Sequence, residues 1–105
     1  MELATEQRTS VAYDISKPKA AKPPMHEVVI FNDDFTPMEF VVEVIQKVFG
    51  KDEQSATKIM LQVHYQGQGV CGCYPKDIAE TKAAQVISLA QENGYPLFCE
   101  TKAQK

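Results

Sequence analysis

Val28-Val29-Ile30-Phe31-Asn32-Asp33-Asp34-Phe35-Thr36-Pro37-Met38-Glu39-Phe40 is the stretch on which the fold turns. Its apolar, β-branched opening reads as a buried strand, and three polar residues then lead into a helix start. Thr36 suits an N-cap, Pro37 suits the first helical position, and Glu39 completes a T-x-x-E capping box. Side chains alternate along a strand, so Asn32 and Asp34 are expected on one side and Asp33 on the other. Two carbonyl-bearing side chains then converge at a strand end beside a helix. Such a pair holds a compact positive group, with the Met38 thioether one short step away.

Upstream, residues 1–24 carry no usable periodicity and end in Lys17, Pro18, Lys19, Lys22, Pro23 and Pro24. They read as a disordered extension and linker, with the core domain expected over 25–105. Downstream, Pro37 to Phe49 forms a helix whose apolar face is Met38, Val41, Val42, Ile45, Val48 and Phe49, stopped by Gly50. Asp52 caps a second helix reaching about Tyr65, with Ala56, Ile59, Met60 and Val63 on one stripe. Gly67 and Gly69 interrupt the chain before a strand over Val70–Tyr74. Pro75 opens a third helix, with Ile78, Ala79, Ala83, Val86, Ile87 and Ala90 facing inward. Asn93-Gly94 stop it, and Pro96–Glu100 reads as a last strand. Three short strands cannot bury a face alone, so the β-α-α-β-α-β order predicts an α+β fold, a small sheet covered by helices.

A chain of 105 residues makes one domain, and its net charge of −3 argues against a nucleic-acid binder, which carries a basic face. No stretch approaches the roughly 20 apolar residues of a membrane span. The polar, acidic Met1–Glu6 shows no secretory signal. Cys71 and Cys73 lie too close for ordinary metal or redox spacing; with Cys99 they read as buried strand residues of a reducing cytosol.

His64 falls four positions after Met60, on or beside the buried stripe of the second helix. Alone, such a histidine is a hydrogen-bonded structural residue. Should it meet Asn32 and Asp34, the three offer an amide oxygen, a carboxylate and an imidazole nitrogen, which match the three N–H bonds of an ammonium group. Behind them Met38, Val41, Met60 and Val63 would wall an apolar hole that Leu97 could close, although plain core filling is the alternative. Asp33 and Asp34 lack local companions for a divalent metal and point apart for joint acid/base work. A thiol site joining Cys71 or Cys73 to His64 lacks a cation or helix N-terminus to lower the thiol pKa. A small thiol- or metal-dependent hydrolase, or an interaction domain using the third helix without a pocket, are the competing classes.

The segments NDDFTPMEFVVEVIQKVF (32–49), ATKIMLQVHYQGQGVCG (56–72) and AETKAAQVISLAQENGYPLFC (79–99) closely resemble the ClpS family, adaptors for the Clp AAA+ proteases. The resemblance spans about residues 25–100. It implies a small α/β sandwich, a three-stranded antiparallel sheet packed against three helices, with no catalysis, metal or cofactor. It implies a cytoplasmic adaptor that binds proteins beginning with Leu, Phe, Tyr or Trp and delivers them to the N-terminal domain of a ClpA-type unfoldase, the N-end rule pathway. By the family motif, Asn32, Asp34 and His64 contact the α-amino group, with Asp33 in the same cluster and Thr36 nearby. Met38 gates against β-branched first residues, and Val41, Met60, Val63 and Leu97 line the pocket with Thr36. Asp77, Glu80 and Lys82 resemble the part that docks on the unfoldase. The N-terminal extension, whose sequence matches no family motif, resembles only in length and looseness the family extension required for delivery rather than docking. Phe35 stands where the family often has Tyr.

Overall fold

Apolar β-branched residues place β1 over Met25–Phe31, and it becomes the middle strand of three. The computed structural model describes residues 24–104. The expected N-terminal extension, apart from Pro24, lies outside them. After β1 come α1 (Met38–Phe49), α2 (Glu53–Gln66), β2 (Gln68–Pro75), α3 (Lys76–Glu92) and β3 (Phe98–Ala103). The sheet order is β2-β1-β3, antiparallel throughout, so the α+β sandwich is the architecture observed.

Register explains the core. Val28 and Ile30 point to the helical face and are fully buried with Val44, Ile45 and Val86. β1 pairs Val28 with Gly72 but Val29 with Val70, so Cys71 is an extra residue bulged out of β2. The two edge strands run somewhat differently from expectation: β2 begins at Gln68 and β3 at Phe98.

Helix boundaries follow local chemistry. Asp52 accepts the Ser55 N–H at 2.8 Å and caps α2. Gly50 ends α1 in the left-handed region at φ 67°, returning its N–H to the Gln46 carbonyl. Asn93 and Gly94 end α3 as expected, with the Asn93 amide donating to the Leu89 carbonyl. The capping box, however, is not formed. α1 starts at Met38 with Pro37 in the cap position, no side chain caps it, and the Thr36 hydroxyl is turned back onto Asp33.

Two further expectations about faces are corrected. α1 buries Val41, Val44, Ile45, Val48 and Phe49, a stripe that includes the unforeseen Val44 and leaves Met38 46 % exposed. α3 buries Ala79, Ala83, Val86 and Ala90, and Ile78, one residue off that stripe, is 48 % exposed.

Candidate functional site

The loop that carries β1 into α1 and the last turns of α2 are tied together by one backbone bond. The Asn32 N–H donates to the Gly67 carbonyl at 2.9 Å. Gly67 occupies the left-handed region at φ 93°, where it ends α2 and turns the chain into β2. The strand end therefore meets the C-terminal end of α2, and residues 32 positions apart in sequence, Asn32 and His64, share one rim.

They rim a hollow of about 260 Å³ lined by Asn32, Asp33, Asp34, Thr36, Pro37, Met38, Val41, Met60, Val63, His64 and Leu97. The structure brings together every residue that sequence reasoning placed in the amine cluster and the apolar pocket. Pro37 was missed as a lining residue, although its place between Thr36 and Met38 was signal enough. Val41, Val63 and Leu97 are buried and form the floor, Met60 is half-buried, and Met38 stands at the mouth.

The floor is rigid for identifiable reasons. Phe40 meets Tyr95 edge to face at 4.8 Å, which pins the segment before β3 onto α1 and sets Leu97 in the wall. Gly69 in β2 passes so close to α2 that a Cβ there would lie 2.9 Å from the Val63 side chain and 3.3 Å from the Ile59 carbonyl. Only glycine lets the sheet approach the helix that closely.

The rim is polar and unspent. Among the described residues no side-chain hydrogen bond engages Asn32, Asp34 or His64, and all three are exposed. The polar triplet is not a strand continuation: Asn32 and Asp33 are irregular and Asp34 begins a turn, so strand alternation does not set their directions. The His64 ring packs edge-on against Tyr65 at 4.9 Å.

Two of the three cysteines are poor nucleophiles. Burial pushes the thiols of Cys71 and Cys99 up to about 12, with Cys99 adding to the effect on Cys71, so neither supplies thiolate at neutral pH. Cys73 is half-buried rather than buried. Among the described residues no group of three His, Cys, Asp or Glu side chains is placed to hold a metal ion, and no helix is long and apolar enough to cross a membrane.

The residues matched to docking lie at the start of α3. Asp77 and Glu80 are exposed, whereas the Lys82 ammonium reaches 34 positions back to donate to the Val48 carbonyl at 2.8 Å. It also lies 5.6 Å from the centre of the Tyr74 ring, which stacks on Phe49.

Residues 21–100 match the family model described as the ATP-dependent Clp protease adaptor protein ClpS. Two curated relatives called ATP-dependent Clp protease adapter protein ClpS align over nearly their whole length. That of Aromatoleum aromaticum is 45 % identical over 97 residues, covering 92 % of this chain and 95 % of the relative. That of Burkholderia cenocepacia is 48 % identical over 99 residues, covering 94 % and 95 %. Among solved structures, Agrobacterium tumefaciens ClpS2 bound to L-phenylalaninamide superposes with a TM-score of 0.77 at 37 % identity, covering 79 % of this chain and 100 % of that one.

Proposed function

The chain belongs to the ClpS family, adaptors that work with the ATP-dependent Clp protease and are not themselves enzymes, and from that premise we propose that the hollow captures substrate proteins by their first residue. The observation that carries this reading is the meeting, in one hollow, of an apolar floor with three acceptors that no other described residue engages. A free α-amino group brings three N–H donors and a positive charge, which Asn32, Asp34 and His64 receive. The first side chain, Leu, Phe, Tyr or Trp, enters between Val41, Met60, Val63 and Leu97, with Thr36 at its flank. Met38 at the mouth crowds a first residue branched at Cβ. The phenylalaninamide held by the Agrobacterium relative has the same two halves, an amine and a bulky apolar side chain.

Magnitudes suit a reversible adaptor. Burying a Leu or Phe side chain contributes about 1.5–3 kcal/mol, and a charge-assisted hydrogen bond about 1.5–3 kcal/mol. After the cost of association, affinity falls near micromolar or somewhat tighter. The captured N-degron protein is then delivered to the N-terminal domain of a ClpA-type unfoldase in the cytoplasm, with Asp77 and Glu80 on the docking side and Lys82 beside them.

Fluorescence anisotropy with two peptides tests the reading. A peptide beginning with Leu should bind, and the same peptide N-acetylated should not, because acetylation removes the charge and two donors and leaves Asp34 facing a desolvated amide. Equal binding of the two would end the proposal.

A further inference from the structure

The resemblance groups Asp33 with the amine-binding side chains, yet its carboxylate is already engaged. Asp33 Oδ2 accepts the Phe35 N–H at 3.1 Å and the Thr36 hydroxyl at 2.7 Å. One oxygen therefore takes both bonds. A third bond, from the Thr36 N–H to the Asp33 carbonyl at 3.3 Å, closes the turn. Asp33 is half-buried while Asn32, Asp34 and Phe35 around it are exposed. Thr36 is 8 % exposed, and its hydroxyl finds its partner in Asp33.

These bonds fix the shape of the rim. The Asn32 N–H on Gly67 anchors the start of the loop, and the Asp33–Thr36 bonds anchor its end, immediately before α1. Between the anchors stand Asn32 and Asp34, whose own side chains make no hydrogen bond among the described residues and so do nothing to hold the loop. A side-chain-closed turn of this kind competes successfully with helix capping, which is why Thr36 faces Asp33 and not the first turn of α1.

We propose that Asp33 is a positioning residue: through Phe35 and Thr36 it presents Asn32 and Asp34 to the substrate amine, and it makes no contact with that amine itself. The inference rests on reading the hollow as an amine socket.

Asp33→Asn separates the alternatives. Asparagine keeps one carbonyl oxygen able to accept both bonds, while it removes the charge and puts an NH2 group where the other carboxylate oxygen was. With the full chain and a fluorescent peptide beginning with Leu, Asp33→Asn should bind within about twofold of wild type. Asp33→Ala and Thr36→Val should each bind about tenfold more weakly. Asp33→Ala combined with Thr36→Val should be no worse than Asp33→Ala alone, because Asp33→Ala already breaks the Thr36 bond. Hydrogen exchange at the Phe35 amide, read without peptide, should quicken in Asp33→Ala and stay slow in Asp33→Asn.

Loss of affinity in Asp33→Asn as deep as in Asp34→Asn would overturn the proposal, since the charge would then be the contact. If wild type itself ignores the peptide, the socket reading fails instead; Phe35 exchange unchanged in Asp33→Ala would then sink the positioning role separately. Melting curves guard the alanine variant, and Asp33→Asn remains decisive should that variant fail to fold.

Discussion

At its C-terminal end α1 is finished by Gly50 in the left-handed region and by the Lys82 ammonium on the Val48 carbonyl, whereas at its N-terminal end no side chain caps it and three polar side chains hang over a hollow. The two ends of one helix thus use polar groups differently. At the closed end the carbonyl left over by helix geometry, the cation from α3 and the Tyr74 face satisfy one another. At the open end Asp33 and Thr36 satisfy each other, and among the described residues the side chains of Asn32, Asp34 and His64 have no hydrogen-bond partner. Hydrogen-bonding capacity spent internally stabilises the domain; capacity left spare beside an apolar floor is available for a ligand.

Removing the spare acceptors should break that contrast most strongly. His64→Ala and Asp34→Ala are each expected to weaken Leu-peptide binding about tenfold to a hundredfold, the value of a charge-assisted bond. Their melting temperatures should stay at the wild-type value, since neither side chain holds the fold; a large fall in melting temperature would make them structural after all. Gly69→Val should affect both properties. Its Cβ would collide with Val63 and the Ile59 carbonyl, costing about 1–3 kcal/mol by overpacking and tilting the pocket floor. Chemical denaturation and anisotropy on that variant would report the two losses side by side.

Lys82→Met sharpens the comparison from the other end. It should cost about 1 kcal/mol in denaturation midpoints and leave peptide affinity unchanged, because the lost bond lies at the far end of α1. Weaker peptide binding in this variant would show that the two ends communicate. The smallest effect is expected at Asp52, whose carboxylate is held below its ordinary range first by the Ser55 backbone N–H it accepts, then by the Ser55 side chain. A lowered pKa contributes stability above the ordinary carboxylate value, about 3.9, and loses it as pH falls through the lowered one. The melting difference between wild type and Asp52→Ala should therefore be present at neutral pH and shrink in strong acid.

Much of this was legible from residue types. Glycines at 50 and 67, Asp52, and the Asn93-Gly94 pair set helix ends that the structure keeps, because each acts through its own backbone or nearest turn. The order of elements follows from the same punctuation. Thr36 escaped because two local partners competed for its hydroxyl and spacing alone does not say which wins. Ile78 escaped because an apolar residue one step off a helical stripe looks like part of it until the neighbouring helix is in place. The hollow itself was legible only through the family motifs. No periodicity places residue 32 beside residue 64; the bond from Asn32 to Gly67 does, and it exists only once the sheet has formed.

The Asn32 loop grows from the one strand that is paired along both edges, and this has a thermal consequence. A strand paired along both edges opens near the full cost of unfolding, whereas an exposed loop opens more readily. On warming, amide exchange along β1 should therefore stay slow up to the melting of the domain, while exchange at Phe35, held by the Asp33 side chain, quickens earlier.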